Sequence, residues 1–242
     1  MGRDALLQSP MPEFPAPSGE SLILGIPALT AAEAVLVAET ESGRVCSEVY
    51  PVGPASLPHE LPSLELVVSD PLRAAGGFTI LSVLLEGSSY VAAVDEAGSY
   101  VWFGVVADLG PGEQSPINRA VFSRLQPSIL FMTWAGRVED NAVVYRVGLD
   151  GELLERISIP GAHRDFIELP DGGFLAIGWD IRELESPSGE IVSVVGDRVI
   201  EVAPDGESRV VWSAFDTWTP DLSLDIPSGS YPPNPEALDW SH

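Results

Sequence analysis

Short apolar runs bounded by turn residues recur along the chain and predict β-strands. The runs come in pairs, as in the segments YVAAVDEAGSYVWFGV, VVYRVGLDGELLERISI and VIEVAPDGESRVVWSAF. Their turns contain Gly98, Gly151 and Gly206, which are 53 and 55 residues apart. Glycine supplies the positive φ that a tight hairpin turn requires, so the pattern predicts three related β-hairpins.

A second strand–turn–strand pattern precedes the hairpin in each of the two later units. The segment AVFSRLQPSILFMTW in one unit matches DFIELPDGGFLAIGW in the next. Each of these units therefore contains four antiparallel strands in about 50 residues, which is the length and content of a propeller blade. The alternative that the pattern leaves open is a large β-sandwich with coincidental turn spacing.

The repeat predicts blades at about residues 78–108, 118–160 and 163–216, and the beginning of another at residue 239. Closed propellers have about four to eight blades, so three blades cannot close a ring. We therefore predict an all-β fold, an incomplete β-propeller of about three four-stranded blades over residues 73–242. The remaining blades are expected on a longer form of the chain or on another chain.

Residues 1–72 have a different pattern. Residues 1–20 are rich in proline, serine and glycine and are typical of a flexible lead-in. Residues 21–72 contain the strand-like segments SLILGI, EAVLVAET, RVCSEVY and LELVVSD, which predict a small β-sandwich-like segment before the propeller.

The charge balance excludes several classes of partner. The chain has 36 acidic residues against 12 basic ones, all of them arginine, and a net charge of −24. A protein that binds the phosphate backbone needs a basic face, so we expect no nucleic-acid partner. No apolar run approaches the roughly 18 residues that cross a bilayer, so we expect no membrane insertion. The absence of lysine excludes Schiff-base chemistry and a P-loop lysine.

Cys46 is the single cysteine, which excludes an intrachain disulfide and a cysteine-based metal cluster. The first 20 residues lack the apolar core of a secretory signal. Either the protein is not exported or its true N-terminus lies upstream of these residues.

Candidate site residues follow from the blade register. Propellers bind ligands around the central channel, near the loops that lead into the innermost strand of each blade. His163 lies in such a loop, three residues before FIELP, and matching LQPS to LPDG places Arg119 at the equivalent position one blade earlier. His242 lies where the next inner strand should begin. We predict that these three residues face one channel, with a hydrogen-bonded structural role as the alternative for each histidine.

A metal site is not expected, because His59, His163 and His242 lack the close spacing of metal ligands. The proline-rich loop 216–238 is too long for a regular blade connection. We predict that it borders the channel mouth and that Trp218 or Tyr231 stacks on an aromatic ligand. A surface excursion without function is the alternative.

From about residue 64 to residue 242 the chain resembles the arylsulfotransferase (aryl-sulfate sulfotransferase) family. The segments that carry the resemblance are SDPLRAAGGFTILSV, YVAAVDEAGSYVWF, HRDFIELPDGGFLAIGWDIRE, GDRVIEVAPDGESRVVWSAFD and the closing DWSH. Each segment alone is a weak signal, and their order together with Asp-Trp-x-His makes the set specific. The resemblance implies a six-bladed propeller, often preceded by a small β-sandwich, in the periplasm or cell envelope.

The resemblance also implies a reaction: transfer of a sulfuryl group from a phenolic sulfate ester to another phenol, through a sulfated histidine and without a cofactor or a nucleotide sulfate donor such as PAPS. It assigns a catalytic role to His242, the histidine of Asp-Trp-x-His, and to His163. Many relatives carry His-His-Asp where this chain has His163, Arg164 and Asp165, so Arg164 would retain anion binding but not acid–base chemistry. Arg119 and Arg164 are the candidate anion-binding residues. The nucleophilic histidine of the family follows Asp-Trp-x-His, so we expect it beyond residue 242 and expect residues 1–242 alone to be inactive.

Two other functions remain open at this point. The chain could be a propeller that binds ligands and has lost the chemistry, or a different propeller hydrolase such as a lactonase. The second class needs Ca²⁺ held by acidic residues in the channel, and no convergent set of acids is evident in the sequence. The sequence indicates no oligomeric state.

Overall fold

The protein is built almost entirely from β-strands. The computed structural model describes residues 25–58, 61–68, 70, 72–73, 76–85, 88–105, 116–134, 141–224, 226 and 237–241. In chain order its elements are β1 Ala32–Ala34, β2 Val37–Thr40, β3 Gly43–Cys46, β4 Tyr50–Val52, β5 Thr79–Leu85, β6 Ser88–Val94, β7 Tyr100–Val105, β8 Ile117–Phe122, β9 Ser128–Thr133, β10 Asn141–Gly148, β11 Leu153–Pro160, β12 Ala162–Glu168, β13 Phe174–Glu185, β14 Ile191–Val202, β15 Ser208–Ser213, α1 Ala214–Thr217 and β16 Leu238–Asp239. The prediction of an all-β fold is confirmed.

The later strands pair with their neighbours in chain order. One sheet has the order β11-β10-β9-β8, and the next has the order β12-β13-β14-β15 with β16 added beside β14. A three-stranded sheet has the order β5-β6-β7, and two small sheets pair β1 with β4 and β2 with β3. Four-stranded antiparallel sheets made by consecutive strands are the form of propeller blades, so the fold is consistent with an incomplete β-propeller. The domain boundaries given above stay predictions.

The chain divides into two compact units, residues 1–81 with 92–104 and residues 82–91 with 105–242. The second unit contains the sheets β8–β11 and β12–β16, and the candidate site described below lies entirely within it. In the described part of the chain no helix has the length and apolar character needed to span a membrane.

Three hairpin turns have the conformation that their sequences predict. Gly98, Gly151 and Gly206 have φ of 78°, 90° and 88°. In the last two turns an aspartate Oδ1 accepts a hydrogen bond from a backbone N–H two residues later: Glu152 to Asp150 at 3.0 Å and Glu207 to Asp205 at 3.1 Å. Such Asp-Gly turns reverse the chain with little strain, which confirms the prediction of related β-hairpins.

A continuous apolar core joins the sheets β8–β11 and β12–β16. Side chains from alternate positions of both sheets pack together in it, because successive strand residues point to opposite faces. The core consists of Leu130, Met132, Ala142, Val144, Ile157, Ile159, Ala162, Phe166, Phe174, Ala176, Ile200 and Val202. β8 and β12, the first strands of the two sheets, lie in contact with each other beside this core.

A buried ion pair at the edge of this core also connects the two sheets. Arg146 Nη1 of β10 lies 2.8 Å from Glu168 Oε1 of β12, and the two side chains are only 6% and 4% exposed. Glu168 also accepts hydrogen bonds from Ser123 Oγ and from the Arg124 N–H. Burial by itself would raise the pKa of Glu168, but the hydrogen bonds from Arg146, Arg124 and Ser123 outweigh it and lower the pKa. Glu168 is therefore a carboxylate in the folded protein at neutral pH.

Candidate functional site

The candidate site is built on a bulge at the start of β12. Phe166 pairs with Ala176 and Ala162 pairs with Gly178, so residues 163–165 form an irregular segment between these two pairs. Arg164 has φ of 70°, a conformation that is uncommon for residues other than glycine. Bulges change the direction in which side chains point, and this bulge determines the side-chain directions of His163, Arg164 and Asp165.

Gly178 permits the close approach of β12 to β13 at this point. A Cβ on Gly178 would lie 2.5 Å from Ile200 Cδ1 and 3.1 Å from the Gly161 carbonyl oxygen. That carbonyl accepts a hydrogen bond of 3.0 Å from the Trp179 N–H. The glycine therefore holds the chain before His163 against the backbone beside Trp179.

His163 is buried, with 1% of its surface exposed. Its ring stacks on the indole of Trp179, with centroids 3.8 Å apart and planes inclined by 24°. Its Nε2 lies 3.3 Å from Oδ1 of Asp197. The histidine is therefore held by an aromatic face and a carboxylate at once.

Asp197 links His163 to the segment Asp-Trp-Ser-His. Asp197 is the cross-strand partner of Trp179, so the two side chains leave the same face of the sheet. Its other oxygen, Oδ2, accepts a hydrogen bond of 2.9 Å from Ser241 Oγ. His163, Trp179, Asp197 and Ser241 thus form a row across four neighbouring chain segments.

β16 brings Ser241 to this row. Asp239 pairs in parallel with Val195 of β14, and the Trp240 N–H donates to the Val195 carbonyl oxygen at 3.1 Å. The Trp240 ring packs against Phe215 of α1, with centroids 5.1 Å apart. His242, the residue after Ser241, lies outside the described residues, and so does His59.

Phe215 also contacts a cation. The guanidinium carbon of Arg182 lies 4.9 Å from the centre of the Phe215 ring. Hydrogen bonds from Arg182 to Asp180 and Asp216 raise the pKa of this guanidinium further above its usual range. Trp240 is therefore supported by an aromatic ring that is itself held by a permanently charged group.

Arg119 lies in β8 and forms an ion pair with the bulge of β12. Its Nε is 2.9 Å from Asp165 Oδ1, and both side chains are partly exposed, at 45% and 43%. Phe122 ends β8 and pairs with Ile129, and Glu168 ends β12 and pairs with Phe174. Arg119 and Asp165 each lie three residues before these strand ends, so Arg119 is equivalent to Asp165. The predicted equivalence of Arg119 and His163 is therefore wrong by two residues.

The misplacement has a simple cause. Ser128 begins β9 directly after Pro127, whereas Phe174 begins β13 four residues after Pro170. The sequence comparison aligned Leu125 with Leu169, whereas in the structure Ser123 takes the place of Leu169: the N–H groups of Ser123 and Leu169 bond across their turns to the carbonyl oxygens of Ser128 and Gly173. Even so, the ion pair with Asp165 places Arg119 next to the bulge that contains His163.

The remaining predicted residues are placed in part. Arg164 is exposed in the bulge. Trp218 follows α1, is 58% exposed and meets Trp212 edge-to-face at 5.6 Å between centroids. Tyr231 lies outside the described residues.

Sequence reasoning missed Asp197 and Ser241 and assigned Trp179 to blade packing alone. The available signal for Asp197 was its position after Gly196 in IVSVVGDRVIEV, where a charge interrupts an otherwise apolar strand. No such signal marks Ser241, because a serine near a chain turn is ordinary. Its contact depends on the pairing of β16 with β14.

Comparison with known proteins identifies the family. The sequence profile of the family described as Arylsulfotransferase (ASST) matches residues 66–242, about three quarters of the chain. Neither the curated proteins nor the solved structures contain a match to this chain. The matched region includes the bulge of β12, Asp197 and the Asp-Trp-Ser-His segment, and the chain belongs to the arylsulfotransferase (ASST) family.

Proposed function

We propose that this protein transfers a sulfuryl group from a phenolic sulfate ester to a second phenol, without a nucleotide sulfate donor. The observation that carries the proposal is the family match, whose region contains the row of His163, Trp179, Asp197 and Ser241. The family implies small aryl molecules as ligands. Histidine can exchange a proton with a phenol and arginine can stabilise charge on the sulfuryl oxygens, so these side chains suit such a transfer.

The proposed reaction has two displacements at sulfur. In the first, a neutral imidazole nitrogen forms a bond to sulfur while the bond from sulfur to the phenolic oxygen breaks, and the leaving oxygen takes a proton. In the second, the hydroxyl oxygen of the acceptor phenol attacks sulfur, the sulfur–nitrogen bond breaks, and the acceptor proton passes to a base. Family resemblance places the attacking histidine after Asp-Trp-x-His, so the assays below use the full-length protein.

His242 and His163 are proposed as the histidines that handle the proton of the phenolic oxygen, because an imidazole exchanges protons near neutral pH. His163 is buried against Trp179 and faces a carboxylate, so its orientation is defined before a substrate arrives. Ser241, the residue before His242 in the sequence, donates a hydrogen bond to the same carboxylate, that of Asp197.

Arg119 and Arg164 are proposed to bind the sulfuryl oxygens. Both are exposed residues of neighbouring inner strands, and a guanidinium binds oxyanions through several N–H groups at once. Arg164 stands where many relatives have a second histidine, and in this position it supplies charge rather than proton transfer. Trp218 and Tyr231 are proposed to stack on the aromatic ring of the substrate.

We place the full-length protein in the periplasm or cell envelope by analogy with the family. Cell fractionation with an antibody against this chain tests that placement. Recovery only in the cytoplasmic fraction would reject it.

The activity is tested with 4-nitrophenyl sulfate as donor and phenol as acceptor, following release of 4-nitrophenol by absorbance. Release should depend on the phenol concentration, and His242→Gln should lower kcat by about 10²- to 10⁴-fold, the usual range for an acid–base residue. Arg119→Ala should raise KM, whereas Arg209→Ala, an exposed arginine of β15 paired with Glu201, is the control and should change neither constant.

The absence of acceptor-dependent release would reject the enzyme proposal. In that case the replacement of the second histidine by Arg164 favours the other function, a propeller that binds aryl sulfates without turnover. Equilibrium binding of 4-nitrophenyl sulfate to the same preparation distinguishes this outcome from a protein that does not recognise the ester.

A further inference from the structure

We propose that Asp197 is the positioning residue of the site and that its carboxylate holds His163 and the Asp-Trp-Ser-His segment in register with each other. This inference rests on the proposed function for its meaning in catalysis, but its geometry stands on the described residues alone. It concerns a residue on β14 to which the sequence comparison assigned no role.

The two oxygens of Asp197 serve two different parts of the chain. Oδ1 lies 3.3 Å from His163 Nε2 in the bulge of β12, and Oδ2 accepts a hydrogen bond of 2.9 Å from Ser241 Oγ. The two contacted residues are 78 positions apart in the sequence. One carboxylate therefore connects the bulge of β12, which contains His163, to the chain at Ser241, the residue before the candidate His242 in the sequence.

The carboxylate is itself held rigidly. Asp197 pairs across the strands with Trp179, in the longest continuous ladder of the sheet, which runs from Phe174–Val202 to Glu185–Ile191. Trp179 in turn carries the ring of His163 on its face. Rotation of the His163 ring away from Asp197 would therefore also break its stacked contact with Trp179.

Phe215 of α1 packs against β14 at Gly196. A Cβ at Gly196 would lie 2.8 Å from Phe215 Cε2, so the glycine lets Phe215 pack onto the strand next to Asp197. Phe215 also contacts Trp240, the neighbour of Ser241. Phe215 therefore packs beside the residue that precedes Asp197 and the residue that precedes Ser241.

A carboxylate beside a histidine can assist catalysis by orienting the imidazole ring. It selects which ring nitrogen carries the proton and prevents the ring from turning, as carboxylates behind catalytic and metal-binding histidines do. In the transfer reaction this would fix the tautomer and the orientation of the His163 ring. Asp197 also has a second role, because loss of its carboxylate removes the hydrogen bond that holds Ser241, the residue before His242.

The test compares Asp197→Asn, Asp197→Glu and Ser241→Ala in the full-length protein with Asp205→Asn as the matched control. Asp205 is an exposed aspartate in the β14–β15 turn, where asparagine can accept the same N–H bond. Asp197→Asn keeps the size of the side chain and an acceptor for Ser241 but removes the charge beside His163. We expect kcat to fall by about 10- to 100-fold with little change in KM, and Asp205→Asn to behave as the wild type.

A second readout does not depend on activity. The imidazole nitrogen NMR signals of His163 can be assigned in the same protein by comparison with His163→Gln, which lacks them. We expect Asp197→Asn to shift these signals, and Ser241→Ala to raise hydrogen exchange over residues 237–241. Circular dichroism before each measurement establishes that the variants are folded, and Asp197→Glu, which keeps the charge, should restore part of the activity.

The outcomes separate the two proposals. If the wild type shows no sulfuryl transfer but the His163 signals shift in Asp197→Asn, the proposed function fails and the positioning role stands. If the His163 signals in Asp197→Asn match those in Asp205→Asn, the positioning role is wrong, whatever the activity. Equal kcat in Asp197→Asn and wild type also overturns it.

Discussion

At the scale of single residues, Glu168 is the most constrained carboxylate described above. It lies in β12, is 4% exposed and pairs with the equally buried Arg146 of β10. Arg146 also binds Glu155, at 2.9 Å, so it keeps a partner if Glu168 is changed. Glu155 is only one of the two partners and is partly exposed, so loss of the Glu168 charge leaves the buried guanidinium incompletely compensated, and such changes destabilise proteins strongly.

We expect Glu168→Gln to lower the free energy of unfolding by about 3 kcal/mol at pH 7. Glu201→Gln is the control, because Glu201 pairs with the exposed Arg209 and such pairs contribute less than about 1 kcal/mol. Urea unfolding of both variants measures the difference. Equal losses in the two variants would show that the buried pair has no special role.

The lowered pKa of Glu168 gives this loss a pH dependence. A carboxyl whose folded pKa is depressed stabilises the fold above its unfolded pKa, near 4.5, and loses that contribution as the pH falls through the folded value. The difference in unfolding free energy between wild type and Glu168→Gln should therefore be constant from pH 7 to about pH 5 and shrink below about pH 4.5. A difference that grows with acid would contradict the cause given for the shift.

Arg164 stores backbone strain at the same bulge. Its φ of 70° places a side chain with a Cβ in the left-handed region, which costs about 1 kcal/mol compared with glycine. Arg164→Ala and Arg164→Gly remove the same guanidinium but differ at Cβ. We expect the glycine variant to be the more stable of the two by about 1 kcal/mol in urea unfolding. Equal stability would mean that the bulge relaxes in the alanine variant.

At the scale of elements, β16 depends on a neighbouring helix rather than on its own length. Its two residues pair with β14, and Trp240 packs against Phe215 of α1. Two residues of ladder contribute little by themselves, so the aromatic contact should carry much of the stability of this segment.

Phe215→Ala should therefore increase hydrogen–deuterium exchange over residues 237–241, as measured by mass spectrometry. The matched control is Phe122→Ala, because Phe122 is 42% exposed at the end of β8. Exchange that rises equally in both variants would indicate general loosening instead of a local release of β16.

The hairpins could be predicted from the sequence because their information is local. Asp150-Gly151 and Asp205-Gly206 specify a turn by themselves, and each turn fixes the pairing of the strands on both sides. The bulge of β12 could not be predicted, because it arises where Gly161 and Gly178 allow two backbones to approach across the sheet. The contact of His163 with Asp197 depends on that bulge and on the register of β13 and β14, so only the first of its two residues was found.

At the scale of the whole molecule, charge is the dominant property. The chain has a net charge of −24, and an aryl sulfate is also an anion. Their long-range repulsion slows approach, whereas Arg119 and Arg164 attract the sulfate only at short range. Salt screens the long-range part first, because the Debye length at 0.1 M is about 10 Å.

Under the proposed function we therefore expect KM for 4-nitrophenyl sulfate to fall as sodium chloride rises from about 10 to 200 mM. Sodium chloride, not sodium sulfate, is used so that the added anion does not compete for the arginines. A KM that rises over this range would mean that the local positive charge outweighs the charge of the whole chain.

The stacked pair of His163 and Trp179 also makes the chain its own optical probe. The emission of an indole depends on the ring stacked on its face, and the two rings here are 3.8 Å apart. Subtracting the emission of Trp179→Phe from that of the wild type isolates this indole from the other five tryptophans. Light emitted by Trp179 can thus report whether the His163 ring stays stacked on it, in a protein that carries no added label.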